Sequence, residues 1–156
     1  MLFDLDLTRS RHYPMPLPFL MSSEKERVQM LRLEPISKVR AIAAKADLRL
    51  VGIGQMDQNA QVLVDGFVTR QELFDMMRRG AAGELTGWAF DAEGHIIDAG
   101  TNRRLTSIPP RVPAAALTIG AAVGKAKVSA IQAALKGRLI NGLITDEATA
   151  GAILRR

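Results

Sequence analysis

The spacing of apolar residues along the chain changes several times, and each change marks an element. Pro14, Pro16 and Pro18 hold the segment after Tyr13 extended, because each proline restricts the residue before it. Ser23 and Glu26 have the spacing of a capping box, so a helix starts there and runs to about Leu33. Pro35 opens a second helix whose Ile36, Val39, Ile42 and Ala43 fall on one face. Leu48 to Ile53 reads as a buried strand ending at Gly54, and Gln55 to Asp65, with no clear period, as a loop. Thr69 and Glu72 form a second capping-box pair, opening a helix with Leu73, Met76 and Met77 inward and Gly80 as its stop. Glu84 to Phe90 reads as one strand, Asp91 to Gly94 as a turn, and His95 to Ile97 as the return of an antiparallel hairpin.

Past Pro109 and Pro110, Ala115 to Ile119 is a short core strand. It runs through Gly120 to Gly124 into a helix with Val128, Ile131 and Leu135 inward, which Gly137 ends. Leu139 to Ile144 is another strand, and Thr145 is placed to cap a last helix through Ala150 and Leu154. This closing strand–helix–strand–helix run predicts an α/β fold, a mainly parallel sheet with flanking helices and right-handed crossovers, joined by the antiparallel hairpin.

Composition narrows the picture. At 156 residues and 47% hydrophobic content the chain suits one core, so a single domain is expected. The apolar stretch from Val112 to Val123 is broken by Pro113 and Gly120 and falls short of the roughly 20 residues of a membrane span. Asp4 and Asp6 interrupt the apolar run of Leu2, Phe3, Leu5 and Leu7, which argues against a signal peptide and predicts a cytoplasmic protein. There is no cysteine, hence no disulfide or thiolate chemistry, and the two histidines, His12 and His95, lie too far apart in sequence to suggest a metal site. The net charge of +5 comes from scattered cations such as Arg78–Arg79, Arg103–Arg104 and Arg155–Arg156, with few aromatics between them. Such pairs suit helix ends and solvated faces, so direct DNA binding by this segment is not expected.

Three glycine-bearing strand ends carry the candidate chemistry. Gly120 to Gly124 followed by Lys125 and Lys127 gives a strand feeding a basic helix start, where unpaired N–H groups and the helix dipole favour an anion. It is neither a Walker A loop nor a GxGxxG turn, and the same residues also suit a tight βα connection with solvated lysines. Glu84, after Gly80-Ala81-Ala82-Gly83, can accept hydrogen bonds from a polyol or sit exposed at a strand start. Gly54 and Gln55 close the first strand at its carboxyl end, where ligands of open α/β sheets bind. No nucleophile–base pair or carboxylate dyad is evident, and neither chemistry nor composition calls for a cofactor.

Taken in order, Ala46-Asp47-Leu48-Arg49-Leu50-Val51-Gly52-Ile53-Gly54, Gly80-Ala81-Ala82-Gly83-Glu84, Phe90-Asp91-Ala92-Glu93-Gly94, Lys127-Val128-Ser129-Ala130-Ile131 and Leu143-Ile144-Thr145-Asp146-Glu147-Ala148-Thr149-Ala150 resemble the sugar-binding effector domain of SorC-type (DeoR-like) bacterial transcriptional regulators. The resemblance runs from about Tyr13 to Leu154 and leaves residues 1–12 as a poorly matched leader. It implies a fold related to the sugar-phosphate isomerase and deaminase group (NagB/RpiA-like), homo-oligomers, and a phosphorylated sugar or polyol as effector. By matching motif, Lys127 would contact the ligand at or near its phosphate, with Gly124 in the turn before it, and Glu84 would hold hydroxyls. Where the family has two adjacent glycines before the lysine-bearing helix, this chain has Val123-Gly124. The family's helix-turn-helix and first βα units are expected to be missing from the chain, so DNA would be reached only through a domain it lacks. The leading expectation is an effector-binding module without enzymatic activity. The alternatives are a sugar-phosphate isomerase or deaminase, with Glu84 as its acid–base residue, and an oligomerisation remnant that binds nothing.

Overall fold

The structure, a computed structural model, describes residues 11–155. Five strands, β1 (Leu48–Gln55), β2 (Gly83–Leu85), β3 (Trp88–Phe90), β4 (Leu117–Ala121) and β5 (Gly142–Ile144), form one sheet in the order β3-β2-β1-β4-β5. β1, β4 and β5 run parallel, while β2 and β3 extend the sheet as an antiparallel pair. The helices are α1 (Glu24–Leu31), α2 (Glu34–Ala44), α3 (Gln61–Val64), α4 (Arg70–Arg78), α5 (Val128–Lys136) and α6 (Glu147–Leu154). The mixed α/β architecture expected from the periodicity is the one observed. Among the described residues no helix is long and apolar enough to cross a membrane.

Two apolar clusters hold this arrangement together. In the first, Ile53, Leu85 and Phe90 of the sheet pack against Ala130, Ile131 and Ala134 of α5, with Val51 and Leu143 at its margin. The small side chains of α5 let the helix lie close on the sheet, and its inner face forms because apolar residues recur at helical spacing. In the second, Met56, Val62, Val68, Leu73 and Met76 pack beside Ala89 and so cover the β2–β3 end of the opposite face. Asn102 ties this end together: its side chain donates to the carbonyls of Ala89 (3.1 Å) and Ile97 (2.8 Å) and accepts from the Ala89 N–H (3.0 Å). Both helix starts form where expected, the Thr69 box in full and the Ser23 one in half, since the Glu26 carboxylate accepts from the Ser22 N–H (3.1 Å) and not from that of Ser23. The Ser23 hydroxyl accepts from the Glu26 N–H (3.1 Å), and Thr69 and Glu72 cap each other reciprocally.

Several boundaries differ from the sequence expectation. Glu84 to Phe90 is two strands rather than one, because the chain reverses at Thr86-Gly87, both with positive φ (49° and 93°). The Asp91 to Gly94 turn does form, with the Asp91 carboxylate accepting from the N–H groups of Glu93 (2.9 Å) and His95 (2.8 Å), but the return is a single bridge between Phe90 and Ile96. Within the expected loop 55–65 the chain makes the short α3, and β1 continues through Gln55. β4 lies two residues later than expected, with its Thr118 N–H held by the Asn141 side chain (2.7 Å). Leu139 and Ile140 are buried ahead of the shorter β5. The last helix is capped by Asp146 rather than Thr145, since the Asp146 carboxylate accepts from the Thr149 N–H (2.7 Å). Of the leader expected over residues 1–12, the first ten lie outside the described residues, and Arg11 and His12 are exposed without regular structure.

Candidate functional site

The carboxyl ends of β1 and β4 meet the amino end of β2, and this junction gathers most of the residues singled out in the sequence. Antiparallel pairing puts Gly54 opposite Glu84 and Gln55 opposite Gly83. The Glu84 side chain lies directly over Gly54, and a Cβ at Gly54 would collide with its carboxyl group. The glycine is there to let the carboxylate cross the strand. Its Oε2 accepts from the Gly87 N–H at 2.5 Å, which orients the group from the hairpin turn. Burial pushes the Glu84 carboxyl above the ordinary glutamate range, while the Gly87 hydrogen bond and the charge of Lys127 draw it partly back.

Lys127 arrives from β4. After Ala121 the chain passes through Gly124, whose φ of 115° is strained for any residue with a Cβ, and makes a single 3₁₀ turn over Lys125–Lys127 before α5. The Gly124 N–H donates to the Thr149 hydroxyl at 2.9 Å, which fixes the turn against α6. From this turn the Lys127 ammonium reaches across to donate to the Ile53 carbonyl at 2.8 Å. A carboxyl group taken out of water and an ammonium group therefore sit on either side of the end of β1. Together they offer hydrogen-bond acceptors for hydroxyls and a positive charge for an anion.

Gln55 completes the set. Its amide donates weakly to the Asn59 carbonyl (3.4 Å), whereas its Oε1 is buried with no hydrogen-bond partner within the protein. Thr145, at the carboxyl end of β5, carries a second such atom in its Oγ1. Buried polar atoms are nearly always satisfied; Trp88 Nε1 and Thr101 Oγ1, away from the junction, are buried without a protein partner too, so the two oxygens near the strand ends are candidate contacts for a ligand or for water alike. The sequence reading took Thr145 for a helix cap and missed this. Its place directly after the apolar strand β5, one residue past the strand end where Gln55 is the last residue of β1, is the signal that was available.

Other features lie apart from this junction. An apolar cavity of about 510 Å³ is lined by Phe19, Val39, Val51, Leu85, Pro109 and Leu139 and contains neither Glu84 nor Lys127. His95 pairs with Asp91 on the surface (3.4 Å). Among the described residues no cluster of three His, Cys, Asp or Glu side chains could hold a metal ion.

Residues 6–155 match the family model described as "Putative sugar-binding domain". The erythritol catabolism regulatory protein EryD of Brucella abortus (strain 2308) is 32% identical over 142 residues, covering 91% of this chain and 45% of the relative. The transcriptional regulator LsrR of Enterobacter sp. (strain 638) is 37% identical over 143 residues, 89% of this chain and 44% of LsrR. The crystal structure of the full-length sorbitol operon regulator SorC from Klebsiella pneumoniae superposes with a TM-score of 0.80 at 27% identity, over 89% of this chain and 46% of that one. A DeoR family transcriptional regulator from Listeria monocytogenes shares the fold with a TM-score of 0.85 at 18% identity. The chain thus spans a little under half the length of the curated relatives it matches. With motif order, sheet topology and family model in agreement, the chain belongs to the sugar-binding domain family of SorC- and DeoR-type transcriptional regulators.

Proposed function

We propose that this chain is the effector-binding part of a sugar-responsive bacterial transcriptional regulator and that its ligand is a phosphorylated sugar or polyol. The observation that carries this reading is the placement of Glu84 and Lys127 on either side of the end of β1. In this reading the ammonium of Lys127 leaves the Ile53 carbonyl for the phosphate, and the turn at Gly124 brings backbone close to the same anion. Glu84 accepts hydrogen bonds from hydroxyls, Gln55 and Thr145 satisfy their free oxygens on the same ligand, and DNA is contacted by a domain outside these residues. The chain performs no chemistry on the sugar. The relatives' names support a regulatory role, since EryD is an erythritol catabolism regulator and SorC a sorbitol operon regulator.

The test is a thermal-shift screen against sugar and polyol phosphates, with unphosphorylated sugars as controls. A ligand that stabilises the parent, and stabilises Lys127→Ala at least tenfold more weakly, is the expected result. A flat response to all phosphorylated compounds, in this chain and in a full-length regulator carrying it, would refute the reading. The raised Glu84 carboxyl is also what an acid–base catalyst needs, which keeps an isomerase or deaminase as the second reading. Turnover of a sugar phosphate that disappears in Glu84→Gln would decide for it.

A further inference from the structure

Between α4 and the segment 98–104 lies a polar cleft of about 350 Å³ that contains none of the residues of the junction. Glu72, Asp75 and Arg79 line it from the helix and its end, and Gly100, Thr101 and Arg104 from the segment. The carboxylates in and beside this cleft are all taken. Glu72 pairs with Arg104, Asp75 with Arg78 at 3.1 Å, and Asp98 with Arg103 at 2.6 Å. Arg79 is the cation left over. Among the described residues it pairs with no carboxylate, and its anchor is one hydrogen bond from Nη1 to the Asp98 carbonyl at 3.0 Å. The segment supplies further groups without partners. Thr101 is only 6% exposed, yet its hydroxyl makes no hydrogen bond within the protein. The N–H groups of Gly100 and Thr101 also find no backbone acceptor among the described residues, and the space beside Gly100 is open.

We infer that this cleft is a second ligand site, one that takes a small carboxylate. The guanidinium of Arg79 has N–H groups to spare after its bond to Asp98, and its planar fork matches the two oxygens of a carboxylate. The hydroxyl of Thr101 gains the partner it lacks, and successive backbone N–H groups in a turn favour an anion. Charge selects the class of anion. One unpaired cation balances one negative charge, while the carboxylates of Glu72 and Asp75 in the same cleft oppose a second, which disfavours phosphate. Met76 and Ala99 also line the cleft and suit a short hydrocarbon part. A carboxylate held here ties the end of α4 to the segment whose Asn102 side chain secures β3 at Ala89. The inference does not rest on what the junction binds.

Titration of the chain with acetate at neutral pH, followed in amide proton–nitrogen correlation spectra and compared with chloride at equal ionic strength, tests it. The Gly100 cross-peak is expected to move along a saturating curve in acetate and to stay in place in chloride. Arg79→Gln should weaken that curve by at least about tenfold and Thr101→Val several-fold, each with the dispersed spectrum of the folded parent. Lys38→Gln, which removes an exposed charge on α2, should leave it unchanged. A shift that fails to saturate, or that chloride reproduces, overturns the inference. A curve that neither cleft variant alters overturns it too, by placing the anion elsewhere. Inorganic phosphate binding more tightly than acetate under the same conditions overturns the assignment to a carboxylate.

Discussion

Gly54 and Glu84 show how tightly one backbone position can be set by the side chain facing it. Any Cβ at residue 54 displaces the Glu84 carboxyl, which is the movable partner, so the fold survives but the carboxylate loses its place. Gly54→Ala is therefore expected to cost only about 1–2 kcal/mol in urea denaturation while abolishing any ligand-induced thermal shift. Glu84 itself carries an opposite trade. Its folded carboxyl titrates above the unfolded one, so its ionisation opposes folding: the stability it contributes is full below the ordinary glutamate range and is lost as pH rises through the raised value. At neutral pH Glu84→Gln should accordingly raise stability by about 1 kcal/mol, at the expense of ligand response. Of this junction, Gly54, Gln55, Glu84, Gly124 and Lys127 were legible from glycine placement at strand ends and from the family resemblance. What could not be read was that Glu84 lies over Gly54, since that follows from the register of β1 against β2, residues thirty positions apart.

At the scale of elements, local chemistry decided most boundaries. The capping signals at Ser23 and Thr69 announced their helices because both partners lie within one turn. The Thr69 box also draws on the tertiary structure, where Glu72 pairs with Arg104. Burial raises the Glu72 carboxyl, but its hydrogen bonds with Thr69 and its pairing with Arg104 outweigh this and hold it below the usual range. Its contribution to stability is thus present above the unfolded glutamate value and lost as pH falls through the depressed one. Thr69→Ala should lower stability by about 1 kcal/mol at pH 7, with the difference from the parent shrinking in acid as Glu72 protonates in both proteins. The hairpin was misread for the converse reason. Trp88, Ala89 and Phe90 read as a continuation of the strand begun at Glu84 and Leu85, and the reversal between them depends on Gly87 fitting against Phe19 and Leu105, contacts that no local pattern contains.

For the whole molecule, periodicity gave the class of fold and the parallel order of its last units. It did not reveal that the sheet is covered on one face along β1, β4 and β5, because a strand buried on both faces and a strand with one apolar face exposed read alike as apolar runs. The asymmetry has a measurable consequence for stability. Ile131→Ala, in the covered cluster, should cost about 3–4 kcal/mol, and Leu50→Ala, on the bare face, within about 0.5 kcal/mol of nothing, both read from denaturant midpoints.

The carboxyl group of Glu84, withdrawn from water and titrating above its ordinary range, also makes the junction a proton ledger. Hydroxyls that donate to it favour its ionised form, so a polyol arriving there in mildly acidic solution expels a proton to the buffer. Calorimetric heats of binding would then change with the ionisation enthalpy of the buffer chosen, and the slope of that dependence would count the protons that one side chain gives up.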